Sequence, residues 1–106
     1  MEALEFCKRI SEVVGIPYLT DQVREHYSND NDKLGIGFDI FDDIWWSTIY
    51  IKHSNRLFYT GCSENDGYWL QENDAEGNVF DHKCSKSLAP CLRELKKILR
   101  EERVIA

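Results

Sequence analysis

The chain of 106 residues carries 19 acidic and 13 basic residues, a formal net charge of −6, and is 42% hydrophobic. A single domain spanning residues 1–106 suits this length, and it can bury a core without a metal ion or a disulfide. With 2 prolines, 6 glycines and no apolar run near the ~20 residues that cross a bilayer, the composition excludes disordered, collagen-like and helical membrane proteins.

The first predicted element is an amphipathic helix over residues 2–14. Its apolar residues recur at three- and four-residue spacing, and Gly15 and Pro17 stand at its end. A second, short helix is predicted over residues 20–26, with a threonine as N-cap. Residues 28–32 are rich in turn formers, and we expect a flexible loop there.

The middle of the chain changes to extended segments that are rich in aromatic and β-branched residues. Four strands are predicted, over residues 36–41, 44–52, 57–62 and 68–72. The polar breaks between them are too short for crossover helices, so consecutive strands should pair antiparallel as a meander. Val79 and Phe80 suggest a further short edge segment.

The last predicted element is a helix that carries an unbroken apolar stripe from Leu88 to Leu99 and basic residues on its opposite side. Ser87 is the expected N-cap, and Pro90 then lies in the first turn, where proline is tolerated. This order of elements predicts an α+β fold, in which an antiparallel sheet of about four strands forms a meander and the N- and C-terminal helices pack on one face.

Alternation along the longest strand divides its side chains between the two faces of the sheet. We assign the side that carries Ile49 and Ile51 to the helices, because aliphatic β-branched residues suit a dry core. The opposite face then carries Trp46, Thr48, Tyr50, Tyr59 and Trp69. Because ten of the thirteen aromatic residues lie between residues 38 and 80, we expect part of this surface to stay exposed or to meet another chain. The alternative is that the aromatics fill both sides of the sheet, the second covered by the long loop or by a second copy.

Acidic residues gather where the predicted strands turn. In a meander alternate turns lie at the same end of the sheet, so the breaks around residues 43 and 66 should be neighbours. A set of acids beside outward-facing rings suits a basic protein surface, although exposed acids at turns are also ordinary solvation. The predicted partner-binding residues are Asp39, Asp42, Asp43, Trp46, Tyr50, Tyr59, Glu64, Asp66 and Trp69.

The sequence contains no motif of a known catalytic or cofactor site. His53, His82 and Cys84 are only loose candidates, since no Cys-x-x-Cys, phosphate loop or nucleophile elbow accompanies them. Cys7 and Cys91 fall on apolar helix stripes and are expected to act as small hydrophobes. We therefore expect no enzyme activity, no catalytic residue, no cofactor and no metal. The N-terminus lacks the features of a secretion signal, which favours the cytoplasm and reduced thiols.

The charge is distributed unevenly along the chain. Residues 29–82 contain 11 acids and 3 bases, whereas residues 83–106 contain 3 acids and 7 bases. A negative field over the middle segment disfavours binding to nucleic acid or to a membrane surface and attracts a basic protein. The basic last helix is interpreted as a solvated face; it could also contact the acidic middle of a second copy in a homodimer.

A small α+β domain with an acidic middle segment that carries Trp45, Trp46, Tyr50, Tyr59 and Trp69 resembles bacterial immunity proteins, including those of contact-dependent growth inhibition systems. The resemblance implies a cytoplasmic antitoxin that binds a cognate toxin, often a cationic nuclease, and blocks its active site. A nuclease attracts a polyanion, so its cleft is basic, and an acidic, aromatic-bearing protein can occupy such a cleft. We therefore expect a non-enzymatic inhibitor.

An alternative from another class is a small acidic dimeric chaperone or adaptor of a secretion system. The acidic balance and the amphipathic terminal helix fit that interpretation. Such chaperones usually have a helix between strands, and the breaks in this chain are too short for one.

Overall fold

The computed structural model describes residues 3–15, 27–28, 34–41, 44–63 and 67–105. Within these residues a helix stands at each end of a series of strands. The helices are α1 (Ala3–Val14) and α2 (Leu88–Glu101), and the strands are β1 (Tyr27–Ser28), β2 (Leu34–Phe41), β3 (Ile44–Ile51), β4 (Arg56–Ser63), β5 (Gly67–Asn73) and β6 (Val79–Ser85).

The strands form one sheet in the order β1-β2-β3-β4-β5-β6, and every neighbouring pair is antiparallel. Short connections cause this order, because they allow each strand to pair only with the strand before it. The turn between β3 and β4 ends at Asn55, whose φ of 55° lies in the left-handed region that asparagine tolerates. The predicted α+β meander is confirmed.

Both helices pack on the same face of the sheet. Phe6 and Ile10 of α1, Leu95 and Leu99 of α2 and the inward side chains of the strands form one apolar core. Its strand residues include Ile36, Phe38, Ile49, Ile51, Phe58 and Leu70. The assignment of Ile49 and Ile51 to the helix-covered side is therefore confirmed. Neither α1 nor α2 is long and apolar enough to cross a membrane.

The sheet is wider than predicted, because β6 is a full strand of seven residues and β1 adds two more. The sequence suggested only Val79 and Phe80 as an edge segment. Most side chains of β6 are exposed and two of them, Asp81 and Lys83, are charged, so the apolar alternation that marks an inner strand is absent. A register shift opposite Leu70 and Gln71 further breaks its pattern.

Two predictions concern the chain between α1 and β2. The predicted short helix over residues 20–26 lies outside the described residues. Ser28, predicted to begin a loop, pairs instead with Gly35 in the register of β1 and β2, whereas residues 29–32 lie outside the description.

The start of α2 is at the predicted place but is not capped by a side chain. Ser87 occupies the N-cap position with an extended backbone (φ −127°), and its hydroxyl makes no capping hydrogen bond. Its backbone N–H donates to Oγ of Ser85 at 3.2 Å instead. The helix is therefore fixed by its buried face rather than by its cap.

Candidate functional site

The side of the sheet opposite the helices, called here the outer face, is assembled by the strand register. Asp39, Trp46, Gly61, Trp69 and Cys84 form one row across β2 to β6. The next row contains Gly37, Thr48, Tyr59, Gln71 and Asp81, and a third contains Gly35, Tyr50, Leu57, Asn73 and Val79. Five strands thus bring residues that are distant in sequence onto one surface.

The four aromatic residues predicted for this face all lie on it. Trp46, Tyr50, Tyr59 and Trp69 are each partly exposed. Trp45 points the other way, packs against the core and meets Phe6 edge to face, with 6.4 Å between ring centroids. The alternation of side chains along the strand therefore predicted correctly that the two adjacent tryptophans face opposite sides of the sheet.

Gly61 lies between the two outward tryptophans and fixes the position of one of them. A Cβ atom at residue 61 would lie 2.5 Å from Cζ2 of Trp69 and 2.9 Å from the carbonyl oxygen of Trp45. These distances are shorter than any van der Waals contact, so the indole of Trp69 lies directly over the glycine backbone. The glycine allows the ring to lie against the sheet, which leaves a flat aromatic surface.

Polar contacts hold other outer-face side chains. The hydroxyl of Tyr50 donates a hydrogen bond to Oδ1 of Asn55 in the turn after β3. Nε2 of Gln71 donates to Oδ1 of Asp81 at 3.0 Å across β5 and β6. A bonded Tyr hydroxyl leaves its ring available for apolar contact, as is common at protein interfaces.

Of the five predicted acidic residues, Asp39 is the one that the structure describes. It lies on the outer face opposite Trp46 in the register and is partly exposed. Asp42, Asp43, Glu64 and Asp66 lie outside the described residues. The residues that flank them do meet at one end of the sheet, because Ile44 pairs with Ser63 and Ser63 pairs with Gly67.

A cluster of charged residues lies on the inner side of the sheet, and its ion pairs were not predicted. This Arg56 cluster consists of Arg56, Glu72 and Glu102, with His53 and His82 beside them. Nε and Nη2 of Arg56 donate to the two carboxylate oxygens of Glu72 at 2.8 and 2.7 Å. Nη1 donates to Glu102 at 2.8 Å, just after α2. The guanidinium thus joins β4, β5 and the end of α2.

Arg56 is coupled to the titration of both glutamates in the Arg56 cluster. The hydrogen bonds from Arg56 lower the pKa of both Glu72 and Glu102, and the same bonds raise the pKa of Arg56. His82 lies with Nε2 2.8 Å from Glu72, and the Arg56 guanidinium stands 4.8 Å from the centroid of the Phe58 ring. Because Glu72 is only 7% exposed, its carboxylate depends on these partners.

Among the catalytic candidates of the sequence, His82 and Cys84 lie on different faces of the sheet. His82 contacts Glu72 within the Arg56 cluster, whereas Cys84 is exposed and lies in the row of Trp69 on the outer face. Burial raises the pKa of Cys7 and of Cys91 to about 11, so these thiols stay protonated at neutral pH. Among the described residues no group of three or more His, Cys, Asp or Glu is arranged to hold a metal ion.

Basic residues lie on the side away from the outer face. Exposed positions of α2 include Arg93, Lys97 and Arg100. They surround the solvent side of a helix whose other side is buried in the core. The positive charge of α2 is therefore separated by the core from the aromatic rings.

Comparison of the chain with protein-family models, with curated proteins and with solved structures found no match.

Proposed function

We propose that this protein is a non-enzymatic inhibitor, an immunity protein that binds a cognate basic toxin of the nuclease type and blocks its active site. The observation that carries the proposal is the outer face, where Trp46, Tyr50, Tyr59 and Trp69 are partly exposed on one surface. All four belong to the segment of residues 29–82, in which acids outnumber bases by 11 to 3.

Aromatic rings and charged groups contribute to such an interface in different ways. Tryptophan and tyrosine are the side chains most often found at the energetic centre of protein interfaces, where a rigid ring buries a large area at a small entropic cost. Carboxylates around them attract a basic cleft from a distance and accelerate association. A nuclease cleft is basic because it binds phosphates, so it is the surface that this combination fits.

The test uses the toxin domain encoded next to this protein, recognised as a short basic domain at the end of a larger reading frame. The purified pair should form a complex that abolishes toxin activity. Rising salt should weaken this complex, mainly through slower association, because screening acts on the long-range attraction.

A matched pair of charge variants locates the binding surface. Reversing Asp42, Asp43, Glu64 and Asp66 to lysine should slow association by roughly tenfold or more, because four negative charges of the acidic middle segment become positive. The control reverses four helix acids, Glu5, Glu12, Glu94 and Glu101. Glu102 is not a suitable control, because its carboxylate accepts a hydrogen bond from Arg56.

Equal loss of binding in the two quadruple variants would contradict the proposal. A protein that forms dimers in light scattering and captures unfolded peptides, but leaves the toxin active, would favour the chaperone alternative.

A further inference from the structure

The outer face contains a depression of about 380 Å³ near its β6 edge. Its lining residues are Tyr68, Trp69, Gln71, Asp81 and Cys84. Trp69 and Cys84 are register partners across β5 and β6, and Gln71 and Asp81 are the next outward pair. The depression is therefore a product of the strand pairing between β5 and β6, and Asp81 is not among the partner-binding residues predicted from the sequence.

The chemistry of the lining favours a cation. Among the five lining residues Asp81 is the one with a formal charge at neutral pH, and the indole of Trp69 presents an electron-rich ring. The amide of Gln71 holds Oδ1 of Asp81 at 3.0 Å, which orients the carboxylate. A carboxylate accepts hydrogen bonds at both of its oxygens, so the second oxygen of Asp81 can accept a hydrogen bond from a ligand.

The position of Trp69 is set before any partner arrives. Its ring lies against Gly61, where a Cβ would approach Cζ2 to 2.5 Å, so the sheet itself supports one side of the indole. A ring that is already fixed loses little conformational entropy when a side chain stacks on it.

We propose that this depression receives an arginine side chain of the basic partner, which stacks on Trp69 and donates hydrogen bonds to Asp81. The inference rests on the proposed function and identifies a site on the outer face that recognises the partner. Arginine fits better than lysine because its planar guanidinium can stack on an indole and donate from several N–H groups at once, whereas an ammonium is a compact, strongly hydrated charge.

The test measures binding of small probes to the whole protein without any toxin. Acetyl-Gly-Arg-Gly-amide is titrated against the ¹⁵N-labelled chain, and the same peptide with lysine or with citrulline serves for comparison. Citrulline keeps the shape of arginine but has no charge. The arginine peptide should shift the indole N–H of Trp69 and the side-chain amide of Gln71, and it should bind roughly threefold more tightly than the lysine peptide. The citrulline peptide should cause no saturable shift.

Two charge-neutralising variants identify the carboxylate. Asp81→Asn should weaken binding of the arginine peptide by roughly fivefold. Glu76→Gln removes the same charge from an exposed acid in the turn between β5 and β6, outside the depression, and should leave binding unchanged.

The remaining outcomes would overturn the inference. Equal binding of the arginine and lysine peptides, together with no effect of Asp81→Asn, would mean general electrostatic attraction. Shifts centred on Trp46 and Asp39, or no shift at Trp69 and Gln71 with any peptide, would place the cation elsewhere. The proposed function would survive each of these results, since it is tested by toxin binding and by the quadruple charge variants.

Discussion

At the scale of single residues, the contact between Gly61 and Trp69 shapes the outer face. The ring of Trp69 occupies the space that any larger residue at position 61 would need. The sequence showed both residues, but it did not show that they are neighbours, because that depends on the register of β4 with β5. Alternation predicts which face a residue occupies, whereas register decides what it touches.

Gly61→Ala should displace the ring and destabilise the protein. Forcing a methyl group into this contact should lower the free energy of unfolding by about 2 kcal/mol and weaken toxin binding, because the indole leaves its supported position. Unfolding in urea, followed by circular dichroism, measures the first effect.

Gly35→Ala is the matched control on the same face. A Cβ at residue 35 would meet nothing closer than Cβ of Tyr50 at 3.9 Å, an ordinary contact. This substitution should change the free energy of unfolding by less than about 1 kcal/mol. Equal destabilisation in the two variants would mean that the Trp69 contact is not what makes Gly61 necessary.

At the scale of elements, the Arg56 cluster connects the end of α2 with β4 and β5. Little in the sequence indicated that this cluster would form. Arg56 and Glu72 occupy inward positions next to Ile51 and Phe58 in the register, where apolar residues are usual. Only the pairing of the strands, followed by the return of the chain through α2, brings Arg56, Glu72 and Glu102 together. The helices and four inner strands were predictable from periodicity, whereas this cluster required the tertiary structure.

Arg56→Gln should destabilise the protein in a pH-dependent manner. Removing the guanidinium leaves the buried Glu72 carboxylate without its main partner, and we expect a loss of about 2 kcal/mol in the free energy of unfolding at pH 7. Because Arg56 lowers the pKa of Glu72 below its ordinary value of 4.5, the stabilisation is complete above about pH 4.5 and is lost as the pH falls through the lowered pKa. The two proteins should therefore converge in stability in acid.

Urea unfolding of both proteins at a series of pH values between 7 and 3 measures this difference. Arg93→Gln removes an exposed guanidinium on the solvent side of α2 and should change stability little at any pH. A deficit of Arg56→Gln that stayed constant down to pH 3 would contradict the role of Glu72.

At the scale of the whole molecule, the helices cover one face of the sheet and leave partly exposed rings on the other. Trp45 belongs to the first side and packs against the core, whereas Trp46 and Trp69 belong to the second. The basic residues of α2 lie beyond the core from these rings. A basic partner should therefore meet the outer face rather than the helices.

The three indole N–H groups provide the most direct measurement. In a complex of the ¹⁵N-labelled, deuterated protein with the unlabelled toxin proposed as its partner, irradiation of the toxin protons should attenuate the indole signals of Trp46 and Trp69 by cross-saturation. The signal of Trp45 should remain at full intensity, because its ring packs against the core. Attenuation confined to Trp45 or to amides of α1 and α2, with Trp46 and Trp69 unaffected, would contradict the assignment of the outer face as the inhibitory surface.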